Sequence, residues 1–553
     1  MIRTPPILTV RTDINRFLAI FCLADGFCNH FRAYCVLSNF IYAQILMDNG
    51  RLGNAWLRDN FGLSITPLTK ECRLGSRPKV VPGDGVEWEY FPKSYAPEPH
   101  PLAHVEFVLK YDHLHLELLR QVFQRLPQEE AAAWVGKQPT GKWARRVGYL
   151  YEFLTGMDLD PKALGVGGNY TPLLEEKRYV VAANPVKVQS WRIEDNLLGN
   201  RDFCPVVRLT AAVQEAIQLN VTSRLDELSS RYPPDIFRRA IGYLYEKETR
   251  SSYNIEREEP TPDREARFVA ALHDAGKASL GEALSLPRLA SLQNIIVDPR
   301  YAQSAYRTDQ NYIGETLPNY RQRIHYVPPP PQFVGSLMDG LVTFLTKSAG
   351  CPPLSRAAIA AFEFVFVHPF EDGNGRLHRF LIHDVLALDS FIPSGVILPV
   401  SAWMLKNMAG YDTCLEAYSR PLMGMLRYDL DLDDRLTVLN PDDVEGIYRY
   451  PDMTTQVEYL ATAVEGALSQ ELEPELNFLS GFDAAKREML AVVDMPDRKL
   501  NNLINILHKT RGTLSKAKRE LYAELTDEEI EKLVAIFRTS FGMGVDENGH
   551  PSI

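Results

Sequence analysis

The 553-residue chain is short of cysteine, with 7, and holds no CxxC pair or Cys/His group at metal-ligand spacing. A small, odd number of thiols is no disulfide framework and points to a reducing compartment. Cys22, Cys28 and Cys35 lie near one another, but no second pair follows, so they read as small apolar residues. No apolar run reaches the ~20 residues of a membrane span. The nearest stretch, 17–47, carries Asp25, His30 and Arg32, and its uninterrupted part is short for a signal-peptide core. The expected location is the cytoplasm, with no membrane partner. Positive charge is not in excess. Lys and Arg number 60 against 71 Asp and Glu, a net charge of −11, which argues against a surface that coats nucleic acid. No internal repeat and no coiled-coil heptad is visible. What remains is an ordinary globular composition, 45% hydrophobic and 24% charged, sufficient to bury the cores of several domains.

Along the chain, residues 1–50 are apolar without periodicity, and Met47 offers an internal start; 1–46 are expected to be a dispensable extension. Helices are predicted over 55–62, 102–126 and 131–153, with strands and loops over 77–95. The glycine-rich GVGGNY at 165–170 lacks dinucleotide-binding spacing and reads as a loop. A second helical block covers 205–274, with a strongly amphipathic helix at 236–249 that runs into a polar Ser/Tyr/Asn stretch. Four prolines at 328–331 precede a helix at 333–348; further helices are predicted at 356–367 and from Asn374. Residues 441–451 read as a linker and 509–519 as a basic helix, with a capping box at Thr526–Glu529 opening the final helix.

The segment HPFEDGNGRLHR, 368–379, carries chemistry. Two glycines flank an asparagine where a helix is predicted to start. Glycine lets backbone N–H groups approach an anion, and a helix N-terminus adds unpaired donors and a positive dipole end. That is a phosphate cradle. Arg376 and Arg379, three apart, share one helical face and can fork onto phosphate oxygens. Asp372 can hold a Mg²⁺ that bridges phosphates. His368 is placed to take a proton from a hydroxyl at neutral pH. A histidine before proline, a GNG turn or two arginines on a helix is each commonplace alone; within twelve residues they specify a phosphate-transfer site.

This segment resembles the signature of the Fic-domain family, HPFx(D/E)GNGRxxR, at every specified position. With nine such positions, chance occurrence is on the order of one in 20⁹ per site. The related Doc kinases usually depart from its second half, so the complete GNGRxxR favours nucleotidyl transfer over phosphorylation. YRTDQNYIG at 306–314, followed by HYVPPPP at 325–331, looks like the flap hairpin of bacterial members. PTGKWARR at 139–146 looks like the N-terminal region of longer members, so the resemblance runs roughly from residue 54 to the C-terminus and is most specific over about 250–430.

The resemblance implies a mainly α fold: a helical core with a β-hairpin flap, flanked by N- and C-terminal helical regions. It divides the chain into an extension (1–50), an N-terminal helical region (54–180), a helical region with an inhibitory motif (181–284), a Fic domain (285–435) and a C-terminal helical region (445–553). It implies transfer of AMP from ATP to a Ser, Thr or Tyr hydroxyl of a target protein, with release of pyrophosphate and with ATP and Mg²⁺ required. His368 would be the general base and Asp372 the Mg²⁺ ligand. Gly373, Asn374 and Gly375 would form the anion hole; Arg376 and Arg379 would hold the outer phosphates; Phe370 would anchor the loop. Tyr411, four after Asn407, resembles an adenine-side contact. Asn311, Tyr312, Ile313 and Gly314 would dock the target strand. Ser252 and Glu256 fit the family's inhibitory (S/T)xxxE(G/N) motif, with the glutamate pairing Arg379; Arg257 departs from it, where Gly or Asn is expected. Alternatives are removal of AMP by the same site, another nucleotide donor, or a non-catalytic regulator with a Fic fold. Self-modification and a homodimer are also consistent with the resemblance.

Overall fold

The computed structural model describes residues 50–83, 85–318, 321–431 and 433–543. The expected extension over 1–46 lies outside them. Among the described residues no helix is long and apolar enough to cross a membrane. The chain forms two compact units, one of residues up to Ser64 with Leu68–Asp112, the other of Ile65–Pro67 with His113 onward.

In the first unit, strands β1 (Arg51–Leu52), β2 (Lys70–Leu74), β3 (Lys79–Pro82) and β4 (Glu87–Phe91) make a sheet in the order β1-β2-β4-β3. The β2/β4 pair is parallel; the other two pairs are antiparallel. Helices α1 (Gly53–Phe61) and α2 (Pro101–Tyr111) complete it, around Leu52, Cys72, Phe91 and Phe107.

The second unit is mainly helical. It begins with α3 (Leu116–Gln124), α4 (Gln128–Gly136) and α5 (Lys142–Thr155), followed by a small sheet of β5 (Thr171–Pro172), β6 (Val186–Val188) and β7 (Ile193–Asp195). Then come α6 (Ala211–Gln218), α7 (Val221–Arg231), α8 (Pro234–Ile255), α9 (Pro262–His273) and α10 (Leu286–Ile296). The antiparallel hairpin β8 (Ile313–Thr316) and β9 (Gln322–Tyr326) follows. Next are α11 (Pro331–Lys347), α12 (Pro353–Val367), α13 (Asn374–Leu388), α14 (Val400–Lys406) and α15 (Met408–Met423). A two-stranded sheet of β10 (Tyr428–Leu430) and β11 (Leu436–Val438) precedes α16 (Pro441–Arg449) and α17 (Thr454–Ala467). The last helices are α18 (Glu473–Val492), α19 (Asp497–Lys509), α20 (Lys516–Arg519) and α21 (Asp527–Ser540). One apolar core runs from Val180 to Leu476 and a second from Ala485 to Phe537.

Helix α12 is buried on every face from Leu354 to Val367, as its near-continuous apolar sequence requires. It packs against α13, and the short loop 368–373 joins the two. The predicted capping box is present: Thr526 and Glu529 exchange side-chain and backbone hydrogen bonds at the start of α21.

Four sequence expectations are corrected. The 102–126 helix is two helices, broken at 112–115, where the His115 ring caps α3 by accepting from Leu118 N. The 131–153 helix likewise breaks at 137–141, ahead of Gly141 at the α5 N-cap. The 441–451 linker is helix α16, opened by Pro441 in its first turn and buried through Val444, Ile447 and Tyr448. The 509–519 basic helix does not form. Arg511 and Gly512 take positive φ after α19, and Ser515 caps a new short helix.

Candidate active site

The loop 368–373 is built around its ends. Helix α12 terminates at His368, whose backbone is left-handed (φ 50°) and whose N–H donates to Phe364 O (3.0 Å). Asn374 closes the other end: its Nδ2 donates to Phe370 O (2.7 Å) and its Oδ1 accepts from Phe370 N (3.0 Å). Phe370 is fully buried and anchors the loop in the core. Gly373 caps α13 with φ 88°, a conformation glycine adopts without strain. No side chain caps this helix, so its first N–H groups remain open to an anion.

The imidazole of His368 lies with Nδ1 3.2 Å from Val365 O. Nδ1–H donates there, which leaves the lone pair on Nε2. Burial, assisted by the Arg307 charge, lowers the His368 pKa to about 4, against the smaller upward effects of Val365 O, Glu256 and Asp372. The ring is therefore a neutral acceptor at neutral pH.

Helix α8 meets this cradle. It runs unbroken through the polar Ser/Tyr/Asn stretch to Ile255, past the expected amphipathic segment. The Glu256 carboxylate lies over the α13 N-terminus, where a Cβ on residue 375 would come 2.1 Å from Glu256 Oε1. Only glycine at 375 leaves room for it. Arg379 is buried and donates Nε to Ser252 Oγ (2.9 Å), and Nη2 to Ser252 O (2.7 Å) and Glu256 Oε1 (2.8 Å). Burial pushes the Glu256 carboxyl up, but Arg379, Arg376 and His368 together outweigh burial and hold it below its ordinary value. Arg376 donates to Asp372 Oδ1 (2.7 Å) and to Glu258 Oε2 (2.8 Å).

Arg257 occupies the left-handed position just after α8, with φ 58°. Its N–H bonds to Asn254 O and that of Glu258 to Tyr253 O, which is the Schellman closure of a helix end. The expectation of Gly or Asn at 257 thus has a physical basis, since both tolerate this conformation and arginine is strained in it.

Tyr411 is buried, with its ring 6.1 Å from that of His378 and its hydroxyl beside Arg379; burial pushes the phenol up to about 12. In the hairpin every β8 residue is exposed, and the register shifts between Ile313 and Gly314. Asn311 Nδ2 reaches Phe370 O (3.3 Å). The sequence reading missed Arg307, which ties this segment to the site. It is buried and donates to His368 O (2.9 Å), Asp309 O, Pro329 O and Val367 O. It also missed Gln293, whose Nε2 donates to Asp372 O (3.3 Å), and Glu258. None of the three carries a local sequence signal, because the site groups they meet, His368 O, Asp372 O and Arg376, are at least 61 residues away.

Among the described residues no group of three or more His, Cys, Asp or Glu side chains is placed to hold a metal. Asp372 alone fits a Mg²⁺ that takes its remaining ligands from nucleotide phosphates and water. Its side chain is 43% exposed, and both of its hydrogen bonds fall on Oδ1.

A left-handed histidine at a helix end, an uncapped helix start and two buried arginines form one cradle suited to an anion. The chain contains a Fic/DOC family domain, which the family model matches over residues 283–386. Over 96 residues it is 36% identical to protein adenylyltransferase fic-1 of Caenorhabditis elegans, and 33% identical to protein adenylyltransferase Fic of Drosophila virilis. Each alignment covers 17% of this chain, with 16% of the nematode protein and 17% of the fly protein, so the chain matches about a sixth of their length. Among solved structures, it is similar to a Fic family protein from Desulfovibrio desulfuricans (TM-score 0.32, 20% identity, 50% of this chain and 79% of that one). It is also similar to Fic-1 from C. elegans (TM-score 0.31, 18% identity, 64% of this chain and 86% of that one).

Proposed function

We propose that the protein is an adenylyltransferase that moves AMP from ATP to a hydroxyl of a target protein, and that Glu256 holds it in check. The observation that carries this reading is the Glu256 carboxylate seated over Gly375 and paired to Arg379, which is where an outer phosphate would be held. An anion already occupies the anion site.

In the proposed reaction His368 Nε2 takes the proton as the acceptor oxygen attacks the α-phosphorus. The bond from that phosphorus to the bridging oxygen breaks, and pyrophosphate leaves. Asn374 and Gly375 offer backbone N–H groups to the phosphates, and Arg376 and Arg379 offset the leaving charge. Asp372 would hold Mg²⁺, which supplies further neutralisation of phosphate charge. Tyr411, whose hydroxyl faces Arg379, reaches the nucleotide through that arginine. The exposed strand β8 would pair with the target backbone and present its hydroxyl; Asn311 and Arg307 fix the hairpin relative to His368. The cytoplasm is the proposed location, supported by the free, buried state of Cys72, Cys204, Cys351 and Cys414. A second reading, removal of AMP by water, is favoured by one feature: the Arg379 charge keeps Glu256 ionised, as a base for water must be.

Incubation with Mg²⁺, ATP and a cell extract, followed by mass spectrometry, tests the reading. AMP on a hydroxyl side chain, absent with His368→Ala, is expected; no adduct from any variant would refute it.

The pH dependence follows from the two shifts. The neutral imidazole is the working form, so with a pKa of about 4 its acid limb lies well below the ordinary histidine range. Initial rates of Glu256→Gly are expected to be level from ~pH 5.5 to ~pH 7.5. A fall centred near the ordinary ~6.5 would contradict this. A carboxyl whose folded pKa is lowered contributes stability above its unfolded value and loses it as pH falls through the folded one. The Glu256–Arg379 pair is therefore intact throughout that range, and the ratio of wild-type to Glu256→Gly activity is expected to stay constant.

Arg257→Gly relieves a left-handed residue, worth roughly 1–2 kcal/mol, less the roughly 0.4–1 kcal/mol that glycine adds to unfolded-chain freedom. The expected result is a slightly higher melting temperature and about two- to fivefold less basal transfer, because the end of α8 is firmer. A rise in basal transfer would contradict it.

A further inference from the structure

The end of α8 carries more than one carboxylate into the site. The Schellman closure folds the chain back at Arg257, so that Glu258 N–H reaches Tyr253 O (3.1 Å). That turn brings the Glu258 side chain to the outer arginines. Its Oε2 accepts from Arg376 Nη1 (2.8 Å) and from Arg264 Nη2 (3.1 Å) on α9. Both guanidinium groups also lie over the Tyr253 ring, each 5.3 Å from its centroid.

The Glu258–Arg376 pair repeats the Glu256–Arg379 pair closely. Both are 2.8 Å long. The arginine side chains are 2% and 1% exposed, the glutamates 36% and 37%. In each case a buried guanidinium that cannot stay unpaired meets a carboxylate that solvent can reach. A phosphate entering the site would need the same guanidinium forks.

We propose that Glu258 is a second inhibitory carboxylate, which occupies Arg376 while Glu256 occupies Arg379, so that the resting protein offers neither arginine to a polyphosphate. This rests on the reading of the site as one for ATP. Residue 257 sets the geometry: the left-handed turn there places one carboxylate on each arginine. Arg264 holds Glu258 in place from the other side, and its own Nε and Nη2 are fixed by Ile296 O.

A structural role for Glu258 as a mere partner of Arg264 makes a different forecast, which allows a test. ATP binding with Mg²⁺ is measured by calorimetric titration of the full-length protein for wild type, Glu258→Gln, Arg264→Ala, Glu256→Gly and the Glu256→Gly/Glu258→Gln double variant. Label transfer from α-labelled ATP and thermal unfolding are recorded on the same samples. Glu258→Gln is expected to bind ATP about fivefold more tightly than wild type, and the double variant more tightly than Glu256→Gly by a similar factor. Arg264→Ala leaves Glu258 to Arg376 alone, and is expected to bind ATP no more tightly than wild type. The proposal is overturned by wild-type affinity in Glu258→Gln with the double variant equal to Glu256→Gly. It is equally overturned if Arg264→Ala gains affinity as Glu258→Gln does. Tighter ATP binding by Glu258→Gln without label on any variant upholds the second carboxylate and refutes the transferase reading. No binding of ATP by any variant removes both.

Discussion

Replacing His368 by alanine is expected to lower AMP transfer by about 10²–10⁴-fold, the range for loss of a positioned general base. ATP affinity should stay within about twofold of wild type. The argument is geometric first. Val365 O fixes the tautomer by accepting from Nδ1, so Nε2 is the acceptor. Burial then keeps the ring neutral, with a pKa of about 4. In the proposed reading the nucleotide would be held elsewhere, by the start of α13, Arg376 and Arg379, so binding and proton removal would separate. Alanine loses the imidazole but leaves the loop, which hangs on Asn374, Phe370 and Arg307. Rate measurements on Glu256→Gly with and without His368→Ala, beside titrations with ATP, check both halves. An equal loss of affinity and rate would make His368 a structural residue of the loop.

Glu256→Gly should raise transfer by at least about tenfold over wild type, corresponding to release of one charge-assisted pair at a buried guanidinium. Two changes act together. The carboxylate leaves the space over Gly375, and Arg379 loses its only carboxylate partner among the described residues while keeping both hydrogen bonds to Ser252. The arginine therefore stays aimed at the site and is free for a phosphate. Initial rates of self-labelling compare the two proteins. Equal rates would refute inhibition by Glu256.

The parts of this site that were legible in the sequence are those with short-range signals. HPFEDGNGRLHR carries its glycine turn, its helix start and its paired arginines within twelve residues, and the structure places all of them in one cradle. Ser252 and Glu256 are legible only through the resemblance to the family's inhibitory motif, and both reach Arg379. Arg257 is legible only as a departure; its meaning, a left-handed helix end, needs the backbone. Arg307, Gln293 and Glu258 are illegible for another reason. Each acts through a distant partner, and an arginine, a glutamine or a glutamate in a polar stretch has no periodicity that marks it. The fold shows the same division. Helix α12 follows from its near-continuous apolar run and α13 from its helix-start residues. The break at 112–115 and the helix at Pro441–Arg449 do not, because buried contacts decide there between helix and linker; the break at 137–141 falls on a largely exposed turn through Pro139 and Gly141.

The most direct test of the central claim is a paired labelling of Glu256→Gly, once with ATP labelled at the α-phosphate and once at the γ-phosphate, each with Mg²⁺. Nucleotidyl transfer predicts stable label on protein from the α-position only, with the γ-label recovered in pyrophosphate, and neither outcome in His368→Ala. Protein labelled from the γ-position instead would show phosphoryl transfer and contradict the account.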